Sequence, residues 1–157
     1  MEFLRTVLEP WDCHHPFQVF SELDGFDGNR SALDAKWITF VNLELKYDLL
    51  AARFQAALGG VGTKHLGEAQ CIALALQENC EVLIDDRDGN DLAYDNDLTA
   101  WSTTEMLEYG IRKGDVDPQK AAEYLDGLIS NGYKGLDVTS GAMFIREYLP
   151  RHLRPRG

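Results

Sequence analysis

An almost continuously apolar helix followed by a short apolar strand constrains the fold of this chain more than any other feature. The helix is predicted over 67–79, with Glu68 in its first turn and apolar residues running from 71 to 76. A helix that is apolar all round lies in the interior of a domain. The strand predicted over 82–84 is short and apolar, which is typical of a parallel sheet buried on both faces.

Strands and helices alternate along the rest of the chain. Further strands are predicted over 37–43, where β-branched and aromatic residues are dense, and over 98–102. Apolar spacing and helix-start signals predict helices over 2–9, 16–23, 47–58, from 90, 104–110, 117–132 and from 140. In the helix over 47–58, the residues spaced for burial are Leu49, Leu50, Phe54 and Leu58. The alternation predicts an α/β fold, a three-layer α/β/α sandwich around a central parallel sheet.

Length, charge and cysteine content limit the classes of protein to consider. The 157 residues suit one domain, predicted over 1–150, with a basic tail over 151–157. Acidic residues outnumber Lys and Arg by 26 to 15, which disfavours non-specific nucleic-acid binding unless a cation offsets the charge. Three cysteines without a C-x-x-C pair indicate a reducing compartment. Because no stretch approaches the ~20 apolar residues of a membrane span, a cytoplasmic protein without a membrane partner is expected.

Acidic side chains gather where the two central elements begin and end. Glu68 opens the apolar helix, and Asp85, Asp86 and Asp88 directly follow the strand over 82–84. Each carboxylate also has a structural interpretation, as a helix-start charge or an N-cap. Together they would repel one another unless a cation joined them, and oxygen ligands favour Mg²⁺ or Mn²⁺ over zinc. The run at 13–15, Cys-His-His, is not expected to bind zinc, because adjacent residues rarely point at one ion.

Motifs in a fixed order carry a resemblance to a known family. The sequence reads G-E-A-x-x-I-A-L-A over 67–75, L-I-D-D-R over 83–87 and P-x-x-V-x-x-E-L over 16–23. Thr103-Thr104-x-x-Leu107 and the stretch 127–133 fit the later strand and helices of the same pattern. On these motifs the chain resembles PIN-domain proteins, in particular a bacterial toxin-like branch, over roughly residues 3–148.

The resemblance implies a metal-dependent ribonuclease, often the toxin of a toxin–antitoxin pair, with carboxylates that hold Mg²⁺ or Mn²⁺. Glu22, Glu68 and Asp86, or its neighbour Asp85, match the acidic positions of the family. Glu22 and Glu68 would hold the ion directly or through water. Asp85 and Asp86 would complete the cage and orient the attacking water. The implied partners are an RNA substrate, a cognate antitoxin protein and a second copy in a homodimer.

One part of the family pattern is not found in this sequence. The family begins with a central strand that ends in an aspartate, ahead of the helix that here starts at Glu2. Either the start of the sequence is truncated or misassigned, or the protein has lost a ligand, and that loss would leave a gap in the middle of the sheet and weaken metal binding. Two functions from different classes therefore stay open, an RNA endonuclease and a catalytically inactive PIN-like module that binds proteins. The missing aspartate favours the module, and the presence of Glu22, Glu68 and Asp86 favours the enzyme.

Overall fold

A computed structural model describes residues 6–8, 11–24 and 37–152 of the chain. These residues form two compact units, one made of the described residues from 8 to 101 and one made of residues 6–7 with 102–152. The expected single domain over 1–150 stays a prediction. Of the helix expected over 2–9, residues 6–8 are helical and the others lie outside the described residues, as do residues 153–157 of the basic tail.

The first unit alternates strands with helices and pairs its strands in parallel. Its elements are β1 (Cys13–His15), α1 (Phe17–Asp24), β2 (Ile38–Phe40), α2 (Leu45–Ala57), α3 (Leu66–Glu78), β3 (Val82–Leu83), α4 (Arg87–Asp95) and β4 (Ala100–Trp101). β1 pairs with β2, with Cys13 opposite Ile38, and β3 pairs with β4, with Val82 opposite Ala100. The predicted α/β class with parallel pairing is confirmed. The described strands form two separate pairs instead of one central sheet.

Helix α3 forms the centre of the first unit, as its apolar sequence predicts. Ala69, Ile72 and Ala73 are fully buried in a core that includes Phe54 of α2, Val82 of β3 and small residues of α4 and β4. The alanines allow α2 to pack along α3 at close range. The helix ends at Asn79, which adopts the left-handed conformation typical of a residue that follows a helix.

One strand of the first unit was not predicted, and two expectations about burial in this unit are wrong. The unpredicted strand is β1, over residues 13–15. Leu49 lies on the solvent side of α2 and is 61 % exposed, although Leu50 and Phe54 do pack inward. Leu83 is 45 % exposed, so the segment over 82–84 is buried on one side only, through Val82 of β3 and Ile84 directly after it. Both errors have the same cause. Apolar residues lie on both sides of α2 and of the segment over 82–84, so the sequence pattern does not indicate which side is buried.

The second unit is helical, with α5 (Thr103–Lys113), α6 (Pro118–Ser130), α7 (Gly141–Met143), a π-helical turn (Phe144–Tyr148) and α8 (Leu149–His152). Its helices begin with strong caps. Ser102 and Glu105 form a reciprocal capping box at α5, and Asp117 accepts two backbone N–H groups ahead of Pro118 at α6. Within the described residues, no helix of either unit has the length and apolar content required to cross a membrane.

Candidate functional site

Helix α1 carries Glu22 and is anchored to α3 by a side-chain contact. The backbone N–H of Gln18 donates a hydrogen bond to Oε1 of Gln70 at 2.9 Å, and Gln70 lies in the second turn of α3. Gln18 also donates through Nε2 to Oε1 of Glu22 at 3.0 Å. One residue therefore fixes the position of α1 on α3 and also orients the exposed carboxylate of Glu22.

Gly67 lets the carboxylate of Glu22 approach the first turn of α3. A β-carbon added at Gly67 would lie 3.4 Å and 3.5 Å from the two carboxylate oxygens of Glu22. These oxygens are therefore in contact range of the residue that directly precedes Glu68 in the chain. The two glutamates, which are 46 positions apart (68 − 22), are brought together at the start of α3.

Gly89 lies where the starts of α3 and α4 come close together. A β-carbon added at Gly89 would lie 3.0 Å from Cγ2 of Ile84, 3.6 Å from Oδ1 of Asp86 and 3.7 Å from the β-carbon of Glu68. Asp86 is the N-cap of α4, and its Oδ1 accepts the backbone N–H of Gly89 at 2.9 Å. Asp85, which is partly buried, connects Ile84 to this cap. The β-carbon of Glu68 therefore lies beside the start of α4, where Asp86 is the N-cap, and Glu22 contacts the residue before Glu68.

The thiol of Cys71 lies within the electrostatic influence of both glutamates. Burial raises the pKa of this thiol to about 12, and the negative charges of Glu68 and Glu22 add to the rise. Both carboxylates therefore act on one sulfur atom one turn into α3. A thiol with so high a pKa stays protonated at neutral pH and is not a nucleophile.

His65 approaches Glu68 from the residue before α3. Its Nδ1 lies 3.8 Å from Oε1 of Glu68, and its backbone is left-handed with φ of 57°. A left-handed residue other than glycine costs on the order of 1 kcal/mol. This conformation directs the chain into α3, since the carbonyl of His65 accepts the N–H of Ala69.

The four residues predicted for the site, Glu22, Glu68, Asp85 and Asp86, all lie in the first unit at the beginnings of α3 and α4 or beside them. In the ranges 6–8, 11–24 and 37–152, no three histidine, cysteine or acidic side chains converge closely enough to enclose an ion. Mg²⁺ commonly keeps several water ligands and takes only one or two carboxylates from a protein. The donor chemistry of Glu22, Glu68 and Asp86 thus fits a hard divalent ion whose remaining ligands are water.

The parallel strand pairs and the helices between them define an α/β protein, and Asp85 and Asp86 follow β3 at the strand end, where such proteins bind ligands. A family model described as a PIN domain matches residues 8–135. The chain belongs to the PIN-domain family. Members of this family are generally nucleases that act on RNA, and they typically bind divalent metals. No curated protein and no solved structure gives a significant match to this chain.

Several residues that shape the site were not predicted from the sequence. Gly67 belongs to the motif that carried the resemblance, but its role as the contact point of Glu22 depends on a helix far away in the chain. Gly89 occupies the third position of a helix, where glycine is unfavourable, and this was an available signal. Gln18 and Gln70 gave no signal, because a polar pair across two helices has no local pattern.

Proposed function

We propose that this chain is a divalent-metal-dependent endoribonuclease that cleaves RNA phosphodiester bonds, and that it is the toxin of a toxin–antitoxin pair. The observation that carries the proposal is the approach of Glu22 to the start of α3, beside Glu68. Among the described residues, neither carboxylate forms an ion pair with Lys or Arg, so both keep oxygens for another ligand. PIN-domain membership supports RNA as the substrate.

Glu22, Glu68 and Asp86 would hold Mg²⁺ or Mn²⁺, and Asp85 would help to orient a water molecule. The ion supplies positive charge that stabilises phosphoryl oxygens and makes water a better nucleophile. The hydrogen bond from Gln18 would orient the carboxylate of Glu22 toward the ion. Asp86 would bind the ion through Oδ2, because its Oδ1 already accepts the N–H of Gly89. In the reaction, the oxygen of water would bond to phosphorus as one water proton passes to solvent, the phosphorus–ester oxygen bond would break, and the leaving oxygen would take a proton from solvent.

The test compares the wild-type chain with three charge-removing variants, Glu22→Gln, Glu68→Gln and Asp86→Asn. Asparagine is as good an N-cap as aspartate, so the third variant keeps the start of α4 while the charge is lost. Glu78→Gln is the matched control, because Glu78 is an exposed residue at the other end of α3. Cleavage of labelled single-stranded RNA is measured in Mg²⁺, in Mn²⁺ and in excess EDTA, and Mn²⁺ binding is measured separately by calorimetry.

We expect each site variant to cleave roughly a hundredfold more slowly or worse, since a bound cation contributes several kcal/mol to the transition state and each 1.36 kcal/mol is tenfold. Glu78→Gln should retain wild-type rates. Undiminished cleavage by Asp86→Asn or in EDTA would refute the proposal. For the toxin role, induced wild-type chain should arrest bacterial growth, and Asp86→Asn should not.

The alternative is a catalytically inactive PIN-like module that binds proteins. It is favoured by one observation, that no group of three ligands converges within the described residues. A wild-type chain that neither binds Mn²⁺ nor cleaves RNA would support this alternative. A chain that binds Mn²⁺ with loss of binding in Glu68→Gln would count against it.

A further inference from the structure

Helix α3 holds the starts of two other helices through glutamine side chains. Oε1 of Gln70 accepts the backbone N–H of Gln18, the second residue of α1, at 2.9 Å. Gln77 follows two turns later on the same face of α3, and its Oε1 accepts the backbone N–H of Glu44, the N-cap of α2, at 2.8 Å. The first N–H groups of a helix have no partner within that helix, so both bonds satisfy donors that the helices leave open.

In the described part of the chain, neither of these helix starts is capped by the side chain of the residue before it. The residue before α1 is the buried Pro16, whose ring has no hydrogen-bond acceptor. The residue before α2 is Glu44, whose side chain makes no cap hydrogen bond. The two glutamines of α3 therefore act in place of local caps, and each fixes where a neighbouring helix begins.

Of these two bonds, the one at Gln70 leads on to a carboxylate of the candidate site. Gln18 lies one turn before Glu22 on α1 and donates through Nε2 to Oε1 of Glu22 at 3.0 Å. Gln70 itself lies two positions after Glu68, near the start of α3. Gln77 lies in the last turn of that helix, and its Nε2 donates to the carbonyl of Asn42 at 3.2 Å. The same device is thus used at both ends of α3, and one end contains the site.

The position of α1 on α3 determines where the carboxylate of Glu22 lies. Its two oxygens lie 3.4 Å and 3.5 Å from the β-carbon that a side chain at Gly67 would have, and a shift of α1 would move them away. Glu22 is exposed, and a long exposed side chain loses rotamer freedom when it binds a ligand. Holding such a side chain in place beforehand strengthens binding. We propose that Gln70 is a positioning residue which, through Gln18, holds Glu22 in place for a divalent ion; this inference rests on the metal site of the proposed function.

The first test measures the hydrogen bond itself and needs no metal. Exchange of the Gln18 amide proton, followed by NMR, should be about tenfold faster in Gln70→Met than in the wild type, a factor that corresponds to about 1.4 kcal/mol. Methionine is as good a helix former as glutamine and offers only a weak sulfur acceptor. Gln77→Met is the matched control, which should speed exchange at Glu44 and leave Gln18 unchanged. Circular dichroism verifies that both variants stay folded.

The second test measures Mn²⁺ binding by calorimetry. The dissociation constant should rise about tenfold in Gln70→Met, and also in Gln18→Met, which keeps the backbone bond but loses the donor to Glu22. Because both changes act through Glu22, the double variant should lose little more than either single variant. Gln77→Met should bind Mn²⁺ like the wild type. In RNA cleavage, Gln70→Met should raise the Mn²⁺ concentration that gives half the maximal rate more than it lowers that rate.

The third test separates positioning from a general effect on the fold. In a Glu22→Gln background the carboxylate is already gone, so adding Gln70→Met should weaken the remaining Mn²⁺ binding no further. An equal, roughly tenfold loss in that background would mean that Gln70 does not act through Glu22, and it would overturn the proposal. The same holds for a tenfold loss in Gln77→Met.

Failure of this proposal and failure of the nuclease proposal give different results. A wild-type chain that neither binds Mn²⁺ nor cleaves RNA would overturn both, whatever the exchange rate at Gln18. A wild-type chain that binds Mn²⁺ and cleaves RNA, with an unchanged dissociation constant in Gln70→Met, would overturn the positioning role alone. Unchanged amide exchange of Gln18 in Gln70→Met would also overturn it, because the bond that holds α1 would then be absent.

Discussion

Gly110 of α5 faces Val116 so closely that a single added methyl group should destabilise the second unit. In Gly110→Ala the new β-carbon would lie 2.7 Å from Cγ2 and 3.4 Å from Cβ of Val116, and 3.7 Å from Cγ1 of Val7. Carbon atoms attract best at about 3.5–4.0 Å, so the shortest contact is an overlap of about 1 Å. Val116 is buried and valine is stiff at χ1, which leaves the side chain little room to move.

The magnitude follows from two opposing effects. Overpacking costs about 1–3 kcal/mol, and replacing a helical glycine by alanine returns about 1 kcal/mol. We therefore expect Gly110→Ala to lower the free energy of unfolding by about 1 kcal/mol. In a Val116→Ala background the overlapping methyl group is gone, so the same substitution should stabilise the protein. The change in the free energy of unfolding caused by Gly110→Ala should thus be negative with valine at position 116 and positive with alanine there.

The coupling between positions 110 and 116 is measured with four proteins, the wild type, Gly110→Ala, Val116→Ala and the double variant. Each is unfolded in urea and followed by circular dichroism. Gly127→Ala is the control, because Gly127 also lies in a helix and an added β-carbon there would meet no atom within 4 Å. It should stabilise the chain by up to about 1 kcal/mol. Additivity of the two substitutions within about 0.5 kcal/mol would refute the close contact between Gly110 and Val116.

Three further predictions concern a cap, a buried charge and a thiol. Ser102→Ala removes one half of the capping box and should lower the free energy of unfolding by about 0.5–2 kcal/mol, seen as a lower Tm. Arg112→Ala leaves the buried carboxylate of Glu108 without its ion pair and should lower the free energy of unfolding by about 1–3 kcal/mol. Adding Glu108→Gln removes the unpaired charge and should restore part of this loss. With its pKa raised from 9.0 to about 12, Cys71 should contribute stability below pH 9 that is lost as the pH rises to 12. At pH 8 the thiol of Cys71 should carry roughly a thousandfold less thiolate than a free cysteine. Iodoacetamide should therefore label the exposed Cys80 before Cys71, as measured by mass spectrometry. Equal labelling of the two cysteines would contradict this prediction.

The elements with strong local signals were predictable, and those stabilised over long distances were not. The apolar run of α3 determined its bounds to within one residue at each end. β1 is only three residues long and carries two histidines, so its stability comes from pairing with β2 and from ring contacts of His15 with Phe20 and Phe40 at about 6 Å. No pattern within residues 13–15 contains that information.

Periodicity predicts that α2 is a helix but does not determine which of its sides is buried. Apolar residues lie on both sides of this helix, and only packing against α3 selects Phe54 and leaves Leu49 exposed. The candidate site divides in the same way. Glu68 and Asp86 are marked by their positions at helix starts, which are local features. The approach of Glu22 to Gly67 is a tertiary contact.

Glycine at 67 is explained by the carboxylate of Glu22 in front of it, and glycine at 89 by the close packing of α4 against Ile84. Both residues lie in the first turn of a helix, where glycine is less favourable than alanine by up to about 1 kcal/mol. Neither has a positive φ, so backbone conformation does not require glycine at either position. At 67 an added β-carbon would meet a carboxylate oxygen of Glu22 at 3.4 Å, whereas at 89 it would meet Cγ2 of Ile84 at 3.0 Å before it met Oδ1 of Asp86 at 3.6 Å. Close packing therefore explains both glycines, and only the one at 67 makes room for an acidic side chain of the predicted site.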